Sequence, residues 1–197
     1  ADGRTRTFMT TRAAMHDAKG QVQRVLSVGI DVTHATAAEE RLERLSLLDE
    51  MTGLPNRSAL QQILSAQIRS AKRDGRRVGL VLLSIANLAD IGDELGPVVR
   101  DTVVRRLAIR LGGLVPETCV LSKFDDTTFA LVVPNPEDAA TFEGEAARLV
   151  ARGGRSLNAA GATVVPRCRA GLAVYPGTGA DADTLLHAAE HGLRVQS

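Results

Sequence analysis

Tryptophan is missing from this sequence of 197 residues, and aromatic residues of all kinds make up only 3% of it. The formal net charge at pH 7 is +1, from 24 basic and 23 acidic side chains. A nucleic-acid-binding surface combines a strongly positive field with aromatic rings on which bases stack. The sequence has neither, which argues against a dedicated nucleic-acid-binding protein.

Cysteines and long apolar runs are also scarce. The two cysteines, Cys119 and Cys168, belong to no CxxC pair and have no histidine at ligand spacing, so no zinc site is predicted. We expect both to be small buried hydrophobic residues in a reducing compartment. The longest apolar run, residues 78–86, is too short to cross a bilayer, and no signal peptide is recognised. These features predict a cytoplasmic location with no membrane segment in this stretch.

The first 33 residues predict two strands, at 5–14 and 21–32, joined by a turn at 15–20. Two strands alone are only marginally stable in water. We therefore expect this segment to be the end of another domain, paired with something beyond itself.

A helix is predicted to follow, from Thr36 to Met51. Thr36 and Glu39 form a capping box at its start. Its apolar stripe suits either a short coiled coil with a second chain or packing on its own domain, and both alternatives stay open. The stripe consists of Ala35, Ala38, Leu42, Leu45 and Leu48.

The rest of the sequence predicts alternating helices and strands. Helices are predicted at 57–74, in a short segment through Asp93 that ends at Gly96, at 97–112, at 137–152 and at 181–195. Strands are predicted at 78–86, 118–124, 127–133 and 167–175. The order contains a ferredoxin-type βαββαβ unit, so we predict an α/β (α+β) fold with a central, mostly antiparallel sheet flanked by helices.

Three stretches resemble one family. Residues 49–57, DEMTGLPNR, resemble the D-x-L-T-G-L-P-N-R opening of GGDEF domains, the diguanylate cyclases. Residues 170–176, AGLAVYP, and the helix at 185–193 are similar to that family's last strand and helix. The resemblance implies a diguanylate-cyclase-like domain over residues 51–197. Asp31-Val32-Thr33 resembles the end of a PAS sensor domain, so residues 1–33 are interpreted as a PAS remnant and 34–50 as a linker or signalling helix.

Working members of this family join two GTP molecules into cyclic di-GMP. That chemistry implies carboxylates that hold Mg²⁺ or Mn²⁺ and a Gly-Gly turn that the phosphates can approach. By the resemblance, Ser84 and Ala86 stand at the two metal-binding Asp positions, Ala89 at the phosphate-side Lys and Gly92 at the guanine-binding Asn. Only Asp101, at the second guanine-contacting position, matches the family pattern.

The signature motif departs from the pattern as well. Asp125 and Asp126 replace its two glycines, and Thr127 and Thr128 replace its two acids. A threonine hydroxyl is a poor ligand for a divalent ion, and each carboxylate would repel a triphosphate by on the order of 1 kcal/mol or more at short range. Asp125 and Asp126 are interpreted as turn-forming residues, with recruitment of the metal by these two side chains as the alternative.

The resemblance therefore implies a degenerate domain without catalytic residues, metal or cofactor. The product-inhibition motif R-x-x-D is missing too, with Pro116 and Cys119 at its charged positions. We expect a catalytically inactive regulatory module in cyclic di-GMP signalling, a homodimer through the linker helix, which relays signals between a PAS sensor and an EAL-type domain. The alternatives are a weak diguanylate cyclase that uses Asp125, Asp126 or Asp93, and an allosteric sensor that binds GTP.

Overall fold

The computed structural model describes residues 8–16, 22–31 and 47–195, and the chain divides between residues 46 and 47 into two units. The first unit contains strands β1 (Phe8–His16) and β2 (Val22–Asp31), paired antiparallel with a bulge near His16. Both strands were predicted, but β1 extends into the predicted turn at 15–20 because Met15 and His16 pair with β2. Residues 17–20 lie outside the described residues.

The linker helix predicted at 34–50 falls mostly outside the described residues, including its capping box. Its predicted end, residues 47–50, is described and is not helical. Leu48 forms an isolated bridge with Pro55, Asn56 N donates to Leu47 O (3.0 Å), and Asp49 N donates to Leu54 O (2.8 Å). The helix prediction is wrong there because the backbone groups bond across a turn and not along a helix.

Residues 47–195, the described part of the second unit, form five helices, a four-stranded sheet and a small hairpin. The strands are β3 (Val78–Ile85), β4 (Val120–Lys123), β5 (Thr128–Pro134), β6 (Leu157–Ala159), β7 (Ala162–Val164) and β8 (Cys168–Tyr175). The helices are α1 (Arg57–Asp74), α2 (Leu88–Leu95), α3 (Pro97–Gly112), α4 (Ala139–Gly153) and α5 (Ala182–Val195). None of these helices has the length and apolar character that a membrane span needs.

The sheet has the strand order β4-β5-β3-β8, and every neighbouring pair is antiparallel. Side chains of the central strand β3 alternate between two apolar cores. Val81 and Leu83 face a core shared with α2, α3 and α4, while Leu80 and Leu82 face one shared with α1 and α5. The predicted fold class, a βαββαβ unit with an antiparallel sheet flanked by helices, is confirmed.

Local signals explain the ends of the best-predicted helix, α1. The side chain of Asn56 accepts from Ala59 N (3.0 Å) at the first turn, and Gly75 ends the helix in the left-handed conformation with φ of 65°. The β6–β7 hairpin was not predicted. Its strands have three residues each, and its turn holds Ala160 and Gly161 at positive φ, so neither a long alternating pattern nor a typical turn dipeptide marks it.

Helix α5 packs very close to strand β8. A Cβ at Gly171 would lie 2.0 Å from the carbonyl oxygen of Ala189 and 2.7 Å from the amide nitrogen of Leu193. On the helix side, a Cβ at Gly192 would lie 3.3 Å from the Cα of Gly171. The two backbones therefore meet through a pair of glycines.

Candidate functional site

The signature turn, residues 125–128, connects β4 to β5. The side chain of Asp125 closes it with hydrogen bonds. The carboxylate of Asp125 accepts from Thr127 N (2.9 Å) and Thr127 Oγ1 (3.0 Å), the pattern of an Asx turn. Asp125 N donates to Thr128 O and Thr128 N donates to Asp125 O, both at 3.3 Å. Three of the four backbone amides of residues 125–128 thus donate within the turn. In the described residues, positive φ at non-glycine positions occurs only at Asn135 and Ala160, so the turn makes no use of the left-handed region.

The two threonines of the signature lie next to each other. Their hydroxyl oxygens are 3.2 Å apart, and Thr128 is buried whereas Thr127 is half-buried. Neither contributes a charge. Asp126 is exposed beside them at the tip of the turn.

Ser84, at the first metal position of the resemblance, lies at the end of β3 between two cross-strand neighbours. Thr128 is opposite it on β5 and Arg169 is opposite it on β8. Directly opposed residues of antiparallel strands point to the same face, so a half-buried arginine shares this face with the two hydroxyls. Arg169 was not singled out from the sequence, because its place opposite Ser84 depends on the register between β3 and β8.

Ala86 stands at the second metal position of the resemblance and has no side-chain ligand atom; its backbone N donates to Arg167 O (2.7 Å). The adjacent Asn87 holds the same segment, since its Nδ2 donates to Val165 O (3.2 Å) and its Oδ1 accepts from Arg167 N (2.8 Å). Ala89 and Asp93 are exposed on α2. Among the described residues, no group of three or more His, Cys, Asp and Glu side chains is placed to hold a metal ion.

The side chain of Arg100 lies against Gly92 and Asp101, the two positions that the resemblance assigns to guanine contact. A Cβ at Gly92 would lie 3.2 Å from Cδ of Arg100, so the Arg100 side chain extends across Gly92. Nε and Nη2 of Arg100 both contact the Oδ1 of Asp101 at 3.1 Å. The carboxylate that the resemblance places at a guanine-contacting position is therefore paired with its neighbour. Sequence reasoning missed Arg100, because nothing in the sequence places its side chain against Gly92.

Lys123 stabilises the signature turn by a hydrogen bond to its backbone. It is 6% exposed, its Nζ donates to Asp125 O, and the ammonium lies 5.1 Å from the centre of the Phe129 ring. Burial lowers the pKa of Lys123, and the carboxylates of Asp49, Asp125 and Asp126 oppose that shift.

The opening motif at residues 49–57 contacts the β4–β5 hairpin, which contains the signature turn. Asp49 accepts from Thr52 N (2.9 Å) and Thr52 Oγ1 (2.5 Å), which closes the turn that follows it. Pro55 O accepts from Lys123 N (2.8 Å), and the Arg57 guanidinium lies 4.3 Å from the centre of the Phe124 ring. The start of the domain thus contacts β4 and the residue that enters the signature turn.

Pro116 and Cys119, which the resemblance places at the charged positions of the product-inhibition motif, lie in the loop from α3 to β4 and line a cavity. Cys119 and Cys168 were expected to be buried. Both are half-buried, and both pack against the core between the sheet and α4. Burial raises the pKa of the Cys119 thiol and raises that of Cys168 to about 11.

Comparison with known proteins identifies the family. The family model described as "Diguanylate cyclase, GGDEF domain" matches residues 46–196. The cyclic di-GMP phosphodiesterase PdeR of Escherichia coli K12 is 29% identical over 199 residues, which cover 97% of this chain and 30% of that protein. The bifunctional diguanylate cyclase/cyclic di-GMP phosphodiesterase MucR of Pseudomonas aeruginosa is 29% identical over 149 residues, 75% of this chain and 21% of that protein. The chain therefore spans less than a third of the length of each of these two relatives.

Solved structures give the same result for the fold. A sensory box/GGDEF family protein from Caulobacter crescentus CB15 superposes with a TM-score of 0.72 at 23% identity, over 76% of this chain and 97% of that chain. The GGDEF domain of TpbB from Pseudomonas aeruginosa also has a TM-score of 0.72, at 25% identity over 75% of this chain and 87% of that chain. Since the family match extends over residues 46–196 and these solved domains share the fold, the chain belongs to the GGDEF family of diguanylate cyclase domains.

Proposed function

We propose that this chain is a regulatory GGDEF domain that does not synthesise cyclic di-GMP. The observation that carries the proposal is the closed signature turn. A phosphate-binding turn needs free backbone amides, but Thr127 N donates to the carboxylate of Asp125. That carboxylate adds a negative charge where the triphosphate would lie. At 4 Å, two like charges repel by about 1 kcal/mol in water and about 4 kcal/mol at the effective dielectric constant near a protein surface.

The surroundings of Ser84 support the absence of metal binding. Magnesium and manganese prefer carboxylate oxygens, whereas Ser84 and Thr128 offer neutral hydroxyl oxygens. The guanidinium of Arg169, on the same face by strand register, is a permanent positive charge that repels a divalent cation. In the alternative role considered above, Asp125 would offer a metal ion mainly its Oδ2, because its Oδ1 already accepts from Thr127 N and Thr127 Oγ1.

The position of the Arg100 side chain supports the proposal that guanine binds only weakly. It extends across Gly92, where the family pattern has the guanine-binding Asn, and pairs with Asp101. A guanine base would have to displace this exposed side chain and break its contact with Asp101. Both penalties are modest individually, and they add to the repulsion at the signature turn.

The regulatory role rests on the contacts of the opening motif. Residues that follow the predicted linker helix bond to β4 through Pro55 and contact Phe124 through Arg57. A shift of the linker would thereby be transmitted to the β4–β5 hairpin.

Val28 and Ile30 of the β1–β2 pair are more than half exposed, which supports the interpretation of this segment as part of a larger PAS sheet. The match of 97% of the chain to 30% of PdeR supports a multidomain parent protein with further domains, for which an EAL-type domain is the proposed neighbour.

The test is an assay of the purified chain with GTP and either Mg²⁺ or Mn²⁺, with cyclic di-GMP measured by mass spectrometry. A diguanylate cyclase of the family serves as the positive control. We expect no product above the protein-free blank. Product that disappears in the Asp126→Ala variant would refute the proposal and establish the weak-cyclase alternative.

Calorimetry with GTP and Mg²⁺ tests the other alternative, an allosteric sensor that binds GTP. We expect no detectable heat with the unmodified chain at high micromolar nucleotide. Binding without turnover would show a GTP sensor. The Arg100→Ala variant, which frees Asp101 and the space over Gly92, isolates the contribution of that side chain, and Arg105→Ala on the same helix is its matched control.

The relay and the homodimer need separate measurements. In the full-length protein, deleting residues 47–197 should change cyclic di-GMP turnover, and unchanged turnover would contradict the relay. Sedimentation of the present chain should show a dimer that dissociates when Leu42 and Leu45 are both replaced by Ser, because the proposed contact is the apolar stripe of the linker helix. A monomer before substitution would remove the dimer from the proposal.

A further inference from the structure

Helix α5 carries two histidines on its solvent-exposed face. His187 and His191 are one helical turn apart, so their side chains are neighbours on the helix surface, with Cβ atoms about 5–6 Å apart. Both side chains are exposed. Leu185 and Ala189, on the opposite face of the helix, are completely buried. The buried face therefore fixes α5 on its domain and leaves the two imidazoles in solvent.

The two imidazoles are available to an external ligand. In the described part of the chain, neither ring makes a hydrogen bond or an ion pair. The nearby carboxylate of Glu190 is already paired, since its Oε2 lies 4.0 Å from Nη2 of Arg194. That pair carries no net charge, and salt screens both of its exposed members. The neighbouring charges therefore give only weak opposition to a cation beside the rings.

We propose that His187 and His191 form a site for one divalent transition-metal ion of the class that prefers imidazole nitrogen, such as Zn²⁺ or Ni²⁺. Residues 187–191 read H-A-A-E-H, which fits H-x-x-E-H, a pattern in which two histidines on one helix face bind zinc. Within the described residues no third His, Cys, Asp or Glu is placed to join them. Water would therefore complete the coordination, and binding without hydrolytic chemistry is what the pair supports.

This site differs in position and in chemistry from the metal site of a cyclase. Mg²⁺ and Mn²⁺ prefer carboxylate oxygens, whereas the pair on α5 offers two nitrogens. Neither histidine belongs to the signature turn or to a position that the resemblance assigns to metal or guanine. The inference therefore goes beyond the proposed function and does not depend on it.

A bound ion would connect two successive turns of α5. His191 precedes Gly192, whose added Cβ would lie 3.3 Å from the Cα of Gly171 on β8. A glycine inside a helix weakens it, and helix ends open locally at low cost in free energy. Because an opened turn separates the two rings, an ion held by both favours the closed helix and its contact with β8.

The experiment is a titration of the full chain, without an affinity tag, with zinc chloride. NMR follows the histidine ring signals, and hydrogen exchange follows the amides of residues 191–195. We expect the ring signals of His187 and His191 to shift together, with one ion bound per chain. At a Zn²⁺ concentration about ten times Kd, exchange of these amides should slow about tenfold, because the ion binds only the closed helix. Mg²⁺ at the same concentration should change neither signal.

Single substitutions test whether both rings hold the ion. His187→Gln and His191→Gln should each weaken Zn²⁺ binding by at least about tenfold, because one imidazole cannot chelate. The matched control replaces the other two histidines, His16 and His34, by Gln and should leave the shifts of the α5 rings and the slower exchange unchanged. Both cysteines compete weakly in the folded chain, because burial raises the pKa of each thiol and the metal ligand is the thiolate.

Four results would overturn the inference. Ring signals of α5 that stay in place at millimolar Zn²⁺ would show that the pair binds no ion. One ion per two chains would show that the ion links copies of the chain. Unchanged affinity after either single substitution would locate the ion elsewhere, and ring shifts without slower exchange would show that it binds one ring at a time. Circular dichroism of each variant without metal establishes that it is folded.

Discussion

Replacing Gly171 by alanine should destabilise the protein far more than the addition of one methyl group usually does. The new Cβ would lie 2.0 Å from the carbonyl oxygen of Ala189 and 2.7 Å from the amide nitrogen of Leu193. Real Cβ contacts below 3.0 Å are essentially never seen, and both neighbours are backbone atoms that cannot rotate away. Helix α5 must therefore move away from β8 by about 1 Å.

The cost of that movement follows from what α5 buries. Leu185 and Ala189 are completely buried against the sheet, and Leu186 is 9% exposed. A gap of 0.5–1 Å loses roughly a quarter to a half of each dispersion contact, and overpacking a core typically costs about 1–3 kcal/mol. Because a rigid helix transmits the shift to all of its contacts, we expect the free energy of unfolding to fall by about 3 kcal/mol.

The measurement is urea unfolding of the full chain, followed by far-ultraviolet circular dichroism. The matched control is Gly144→Ala in α4, where nothing lies within 4 Å of the new Cβ. Alanine is the better helix former, so the control should gain about 0.5–1 kcal/mol. The two variants should thus change stability in opposite directions. A loss below about 1 kcal/mol for Gly171→Ala would refute the reasoning, because α5 would then have room to adjust.

Three further predictions concern single side chains. The hydroxyl of Ser122 is buried without a hydrogen-bond partner among the described residues, so Ser122→Ala should raise the free energy of unfolding by about 1 kcal/mol in the same urea assay; a loss would mean that the hydroxyl has a partner. Asn87→Ala leaves Val165 O and Arg167 N without the side chain that bonds both, and it should cost about 2 kcal/mol; a cost near zero would show that water replaces the amide. Burial raises the pKa of the Cys168 thiol from 9.0 to about 11, so the folded chain keeps a proton that the unfolded chain loses. Stability should fall as pH rises from about 9 to about 11, with a shallower fall in Cys168→Ala; an unchanged slope would contradict this cause.

Local chemistry explains why much of the fold could be predicted from the sequence. Helix α1 begins and ends as expected because Asn56 and Gly75 are local signals that act within one turn. Strand β3 was expected as a short apolar run, and its burial on both faces accounts for that run. The prediction that the linker helix continues to residue 50 was wrong, because the backbone of residues 47–49 bonds to residues 54–56. An amphipathic pattern carries no information about such a contact.

The candidate site was less predictable because its character depends on contacts between distant residues. The substitutions at Ser84 and Asp125 are visible in the sequence, and their consequences stay predictions. That Arg169 lies opposite Ser84 follows from the strand register. That Arg100 covers Gly92 follows from the packing of α3 on α2. Neither can be derived from spacing along the chain.

The closed signature turn also has an evolutionary consequence. Because the turn avoids positive φ, it gains nothing from the conformational freedom of glycine, and the Asp125 side chain adds two hydrogen bonds. Returning to glycine would remove those bonds and increase the entropy of the unfolded chain, with a combined cost of about 1–2 kcal/mol. Selection for stability alone would therefore retain the aspartate. If catalysis does not constrain this position, as we propose, the hydrogen bonds of Asp125 oppose its replacement by the glycine of a phosphate-binding loop.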